Sequence, residues 1–175
     1  FVKTQDPFGE WSDPIMLPEV TGIDPSFFFD EDGKAYLVNN DDAQDNKPEY
    51  SGHRTIRVQE FDVNADKTVG PRKILVNKGA RPEDKPIWIE GPHLYKINGN
   101  YFLMSAEGGT AGWHSEVIFR GDSPTGKFTP WKNNPILTQR QLDAERPNPV
   151  TCAGHADLVQ TREGDWWAVF LACRP

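Results

Sequence analysis

At 175 residues the chain has the length of one ordinary domain, and 37 % hydrophobic content suffices for a core. Its 15 Gly and 15 Pro favour many turns and short strands over long helices. A formal charge of −7 disfavours nucleic acid as a partner, and no apolar run approaches the roughly 18 residues of a membrane span, so neither nucleic acid nor membrane is expected.

Phe1 falls inside a strand-like stretch with no signal-peptide pattern after it; a leader on a longer polypeptide would be invisible, so localisation, cytoplasmic or secreted, stays open. Gly9-Glu-Trp-Ser-Asp-Pro-Ile15 reads as a fourth, outer strand, which makes residues 1–17 the outer edge of a sheet. After Gly22-Ile-Asp-Pro come Ser26-Phe-Phe-Phe29, the acidic turn Asp30-Glu-Asp-Gly33 and Ala35-Tyr-Leu-Val38, a hairpin closed by glycine. Thr55–Phe61 and Gly70–Leu75 follow as third and fourth strands. The second hairpin is Pro92–Ile97, Asn98-Gly99 and Tyr101–Met104, and Asn-Gly between such runs is the strongest short-range hairpin signal. Glu116–Arg120 is its third strand, and the stretch from Gly126 to Leu137 its fourth. Ala156–Gln160, the turn Arg162–Asp165 and Trp166–Leu171 make the third hairpin.

The three hairpins repeat one pattern. Asp24, Glu90 and His155 each stand nine positions before a turn glycine, Gly33, Gly99 and Gly164, at steps of 66 and 65 residues. So regular a period marks a repeat architecture, and repeated hairpins of this kind suit an all-β propeller of four-stranded blades. Residues 18–80 and 81–140 are expected as two blades and 141–175 as the start of another. Equivalent positions on innermost strands meet at a central cavity, so two carboxylates and a histidine are expected to converge. A propeller needs about four or more blades to close. An internal piece of a longer propeller, or a chain completed by a companion, is therefore expected, because open sheet edges are a hazard.

Cys152 and Cys173 flank the last hairpin on neighbouring rungs. A bridge between them is conceivable, but two buried free thiols are the expected state. The six Trp suit ligands that stack on rings, such as sugars, although blade packing is their ordinary use. Trp88 and Trp113 lie nearest the expected active face. Glu107, before Gly108-Gly109, is either a sugar-facing position or part of a plain turn; His53, His93 and His114 are expected as structural.

Ile89-Glu-Gly-Pro-His-Leu-Tyr-Lys96, Met104-Ser-Ala-Glu-Gly-Gly-Thr110 and Ala153-Gly-His-Ala-Asp-Leu-Val159 resemble glycoside hydrolase family 43, above all its β-xylosidase and α-L-arabinofuranosidase members. Gly22-Ile-Asp-Pro-Ser-Phe-Phe28 and the closing Trp166–Pro175 agree. The resemblance implies a five-bladed β-propeller that cleaves xylosidic or arabinosidic bonds of plant cell-wall oligosaccharides, such as those of xylan, with inversion. It implies Glu90 as the general acid, Asp24 as the group that tunes and orients it, and Thr110 as a sugar-pocket residue. His155 matches a histidine at the cavity base that in some relatives reaches a metal or an ordered water. No cofactor is required, though calcium or another cation could sit in the central cavity. In the family pattern the general base falls upstream of Phe1 and a substrate-contacting arginine beyond Pro175. The rest of the parent propeller is thus an expected partner, and the chain alone is expected to be inactive.

The residue chemistry suits that reading. An inverting glycosidase needs an acid for the leaving oxygen and a base for water, with carboxyls about 6.5–9.5 Å apart. The acid must hold its proton near neutral pH, which a neighbouring carboxylate and partial burial promote. Asp24 before Pro25 could simply cap a strand, but a carboxylate between Ile89 and Gly91-Pro92 is costly without a role. A non-catalytic carbohydrate-binding or structural propeller piece is the alternative, and it would have no need of the acidic pair. A phosphorolytic enzyme would want an Arg and His cluster, which the inner-strand starts lack.

Overall fold

The computed structural model describes residues 1–143 and 145–174. It is built from antiparallel strands, with two single 3-10 turns at Gln44–Asn46 and Pro82–Asp84. The first sheet has four strands in sequence order: β1 (Ile23–Phe29), β2 (Ala35–Asp42), β3 (Arg54–Asp62) and β4 (Lys67–Asn77). The second comprises β5 (Glu90–Ile97), β6 (Asn100–Glu107), β7 (Ser115–Gly121) and two short pieces, β8 (Thr129–Pro130) and β9 (Leu137–Thr138). A hairpin of β10 (Thr151–Gln160) and β11 (Trp166–Cys173) completes the described residues.

Turn chemistry explains the three hairpins. Between β5 and β6 Asn98 and Gly99 both take positive φ, 51° and 73°, as a tight two-residue turn requires. The turns β1–β2 and β10–β11 are five residues long and alike. Asp30 N–H donates to the Lys34 carbonyl at 2.8 Å, and Thr161 N–H to that of Asp165 at 2.8 Å. In the second sheet β8 and β9 both pair with β7, so the fourth strand is split in two. Pro130 and Pro135 cannot donate to a ladder. The Asn134 side chain fills the break, donating to the Ile118 carbonyl and accepting its N–H, both at 2.9 Å.

The strand expected over residues 9–15 does not form: no strand precedes Ile23. Instead Phe1 and Ile15 exchange backbone hydrogen bonds of 2.9 and 2.8 Å. This folded arm lies on the first sheet, where the Phe1 ring meets Phe27 and Phe61 edge-on at 5.7 and 5.5 Å.

The core lies between the first two sheets, where Val38, Ile56, Val58, Leu103, Val117 and Phe119 are buried in one cluster. Polar ties join the sheets at their rims. Lys96 Nζ and Tyr101 Oη both donate to the buried Asp30 carboxylate, at 2.8 and 2.6 Å. Strand β10 packs on β6 and β7, and Tyr95 Oη donates to Asp157 at 2.6 Å. The inner strands β1, β5 and β10 thereby lie side by side.

The thiols of Cys152 and Cys173 are free, but not buried as expected: Cys152 is half-buried and Cys173 exposed, because among the described residues β11 has no further strand beside it. A hydrogen bond with the Cys152 side chain raises the Cys173 thiol pKa.

Candidate active site

Each inner strand carries the same irregularity. Ile23 and Ser26 pair with Asn40 and Val38, Glu90 and His93 with Ala106 and Met104, and Gly154 and Asp157 with Leu171 and Val169. Three steps on one strand face two on its partner, a one-residue β-bulge at the same place in all three hairpins. Such bulges re-aim side chains and gather beside active sites. The residue after the bulge start has φ of 52° in Asp24, 54° in Gly91 and 56° in His155. Asp, His and Gly are among the residue types that tolerate this left-handed conformation best.

That register corrects the nine-residue offset. The structural equivalent of Asp24 and His155 is Gly91, and Glu90 stands one position earlier, level with Ile23 and Gly154. The offset is one out because the β5–β6 turn has two residues where the other two have five, while β5 runs one residue further past its bulge.

The three expected residues nevertheless gather. Asp24 Oδ2 lies 3.6 Å from His155 Nε2, accepts the Gly91 N–H at 3.2 Å and accepts Asn40 Nδ2 at 3.0 Å. Gly91 is the floor between them, since a Cβ there would stand 2.6 Å from the His155 ring. Glu90 is half-buried, and its carboxyl pKa is raised, first by burial and next by the negative charge of Asp24; His155 and Arg54 oppose the shift. A half-buried carboxyl whose pKa is raised by burial and by a neighbouring carboxylate is better equipped than a free one to hold and donate a proton. Arg54 is itself paired with Asp42.

The sequence model of Glycosyl hydrolases family 43 matches residues 1–175. The chain belongs to this family. It is 44 % identical over 176 residues to a xylosidase/arabinosidase of Butyrivibrio fibrisolvens, a match covering 99 % of this chain and 33 % of the relative. It is 37 % identical over 175 residues to a non-reducing end alpha-L-arabinofuranosidase of Bacteroides ovatus, covering 100 % of this chain and 29 % of that protein. The crystal structure of a GH43_12 protein retrieved from capybara gut metagenome superposes with a TM-score of 0.90 at 53 % identity, over 99 % of this chain and 31 % of that one. The all-β arrangement is thus that of part of a family 43 propeller domain, and the chain spans about a third of the length of these relatives.

Thr110 is exposed on the loop between β6 and β7. His114 is buried, with Nδ1 2.7 Å from the Cys152 carbonyl, and His53 Nε2 is 2.6 Å from Asn77 Oδ1, so both have structural surroundings. Among the described residues no three of His, Cys, Asp and Glu cluster to hold a metal. His155 beside Asp24 is therefore too small a donor set to fix a cation unaided.

Three residues escaped the sequence reading. Asn40 and Gly91 hold Asp24; the polar run Asn39-Asn40-Asp41 at the end of an otherwise apolar strand was the available signal. Glu116 is fully buried and its Oε2 accepts the Ala156 N–H at 2.8 Å, clamping the bulge that carries His155. Burial pushes the Glu116 carboxyl up to about 8. Glu107, left undecided in the sequence, is buried as well and accepts the Ala80 N–H at 2.5 Å. Alternation of polar and apolar residues gives no sign of such buried acids.

Proposed function

We propose that this chain is the central part of a five-bladed propeller glycosidase that cleaves xylosidic or arabinosidic bonds of plant cell-wall oligosaccharides with inversion, and that Glu90 is its general acid. The observation carrying this reading is the half-buried Glu90 carboxyl whose pKa is raised by burial and by Asp24. Glu90 delivers its proton to the leaving oxygen. Asp24, held by Asn40 and the Gly91 N–H, keeps its charge aimed at the acid and supports the protonated form. His155, on the neighbouring strand, fixes the other side of Asp24. Thr110, on the exposed β6–β7 loop, is assigned to the sugar pocket wall.

Inversion also needs a carboxylate that activates water from the opposite sugar face. Besides Asp24, no carboxylate stands at the bulge positions of the three inner strands, which hold Asp24, Gly91 and His155. We assign the base to a further blade of a longer polypeptide. The reaction needs no cofactor; His155 is the side chain through which a cation such as calcium could touch this part of the cavity, directly or through water, and no step is routed through it. Names of the relatives, xylosidase/arabinosidase and alpha-L-arabinofuranosidase, support the choice of substrate.

The test compares the complete polypeptide with residues 1–175 alone on an aryl β-xyloside and an aryl α-L-arabinofuranoside. The complete protein should release at least one aglycone and the isolated chain neither, since loss of a general base alone costs about 10²–10⁴-fold. Glu90-dependent release by the isolated chain would overturn the assignment of the base to another blade. No release by the complete protein would overturn the glycosidase reading.

A further inference from the structure

A second cavity, of about 640 Å³, opens beside the loops 79–88 and 107–114 and contains none of Asp24, Glu90 and His155 in its lining. It lies at the same end of the second sheet as Glu90. Ile87 in its wall is three residues before Glu90, and Glu107 at its base directly follows Ala106, the cross-strand partner of Glu90. Gly108 N–H donates to the Ile87 carbonyl at 2.9 Å and joins the two loops. Only glycine serves at 108, where φ is 92° and a Cβ would stand 2.1 Å from the Trp113 carbonyl oxygen. That tight fold puts Trp113 on the lip, 70 % exposed, although an indole normally seeks burial.

The charges of this cavity run against those of the chain. Arg81, Lys85 and Arg140 line it, against Asp84 and Glu107. Burial pushes the Glu107 carboxyl up to about 7, so near neutral pH it offsets only part of one cation. Arg140 holds its guanidinium 5.8 Å from the Trp113 ring centre, and Arg81 uses one nitrogen on the Asn134 carbonyl at 3.1 Å, which leaves further N–H groups of both for a ligand. An aromatic platform offers a face to the C–H side of a sugar ring. A guanidinium fork matches a carboxylate in two parallel hydrogen bonds. A neutral sugar would satisfy the ring and leave the cations unanswered.

We propose that this cavity is a second saccharide-binding site that takes a uronic-acid unit of a branched oligosaccharide, its carboxylate on Arg140 and Arg81 and its ring against Trp113. The proposal rests on the glycosidase reading for the kind of ligand. It adds that the preferred substrate carries an acidic branch beyond the sugar whose bond is cut.

The test measures binding by calorimetry to the complete polypeptide carrying Glu90→Gln, which suppresses turnover. The ligands are xylotriose and xylotriose bearing one glucuronic acid. The acidic ligand should bind about tenfold more tightly, the effect of one well-made charge-assisted contact. Adding Arg140→Gln should erase that preference and leave xylotriose affinity as it was. Trp113→Ala, on the exposed lip, should weaken the acidic ligand by about tenfold or more. Equal affinity for the two ligands before any cavity change overturns the proposal, and so does a preference that survives both cavity variants. Residual hydrolysis by the Glu90→Gln protein bears only on the acid assignment, so the two readings fail separately.

Discussion

Strands β2 and β11 are the second strands of two copies of one hairpin, and both are rich in apolar residues. In β2 seven of eight residues are buried; in β11 all eight are exposed. The difference lies in the neighbours. The second sheet covers one side of β2, the arm of residues 1–22 approaches the other, and β3 pairs with its edge. For β11 the only strand partner among the described residues is β10. Yet β10 is tied to the second sheet through Glu116 and Tyr95, and it is β10 that carries His155. The chemistry-bearing bulges sit on the first strand of each hairpin, whichever strand is the better covered. The uncovered face of Trp167, Val169 and Leu171 is where the proposed remainder of the propeller would pack.

The largest expected effect breaks this contrast by truncation. In the isolated chain Leu37→Ala, in buried β2, should cost about 2–5 kcal/mol, and Leu171→Ala, in β11, well under about 1 kcal/mol, as read from chemical denaturation. In the complete polypeptide the Leu171 cost should rise towards that of Leu37. A Leu171 cost that stays small there would mean that nothing packs on β11.

A smaller effect sharpens the comparison at the bulges. Gly91 and Gly99 both have positive φ, but a Cβ at Gly91 meets the His155 ring, whereas at Gly99 it meets nothing within 4 Å. Gly99→Ala should cost only backbone strain, about 1–2 kcal/mol. Gly91→Ala adds displacement of His155 and should lower the melting temperature further. Equal melting temperatures for the two variants would show that the contact between Gly91 and His155 is loose.

The hairpins were legible because their turns announce themselves: Asn98-Gly99 and the glycines at 33 and 164 need the positive φ they adopt. Family membership was legible in the motifs around Glu90, Thr110 and His155. Register at the bulges was not, because it depends on turn length and strand length together, and a count of nine to the glycine merges the two. The strand read over residues 9–15 failed because a strand needs an edge to pair with; with Gly9 and Pro14 in the segment, the arm bonds back on residues 1–6 instead of on a sheet. The split of the fourth strand into β8 and β9 was half-visible in Pro130 and Pro135, but the Asn134 amide that bridges the gap was not. Glu107 and Glu116 were illegible as buried acids because their partners are backbone N–H groups, which every sequence has.

The proposed chemistry turns on the proton of Glu90. Burial and the Asp24 charge raise its pKa, so activity should be held at low pH and fall as pH rises through that pKa. The deciding measurement is the pH profile of kcat/KM for the complete polypeptide, with wild type, Asp24→Asn and Glu90→Ala compared on aryl glycosides of good and poor leaving groups. Asp24→Asn removes the repulsion and should move the alkaline limb to lower pH. Glu90→Ala should abolish that limb, losing about 10²–10⁴-fold on the poor leaving group and little on the good one. Equal losses on both substrates, or an alkaline limb that Asp24→Asn leaves in place, would contradict Glu90 as an acid tuned by Asp24.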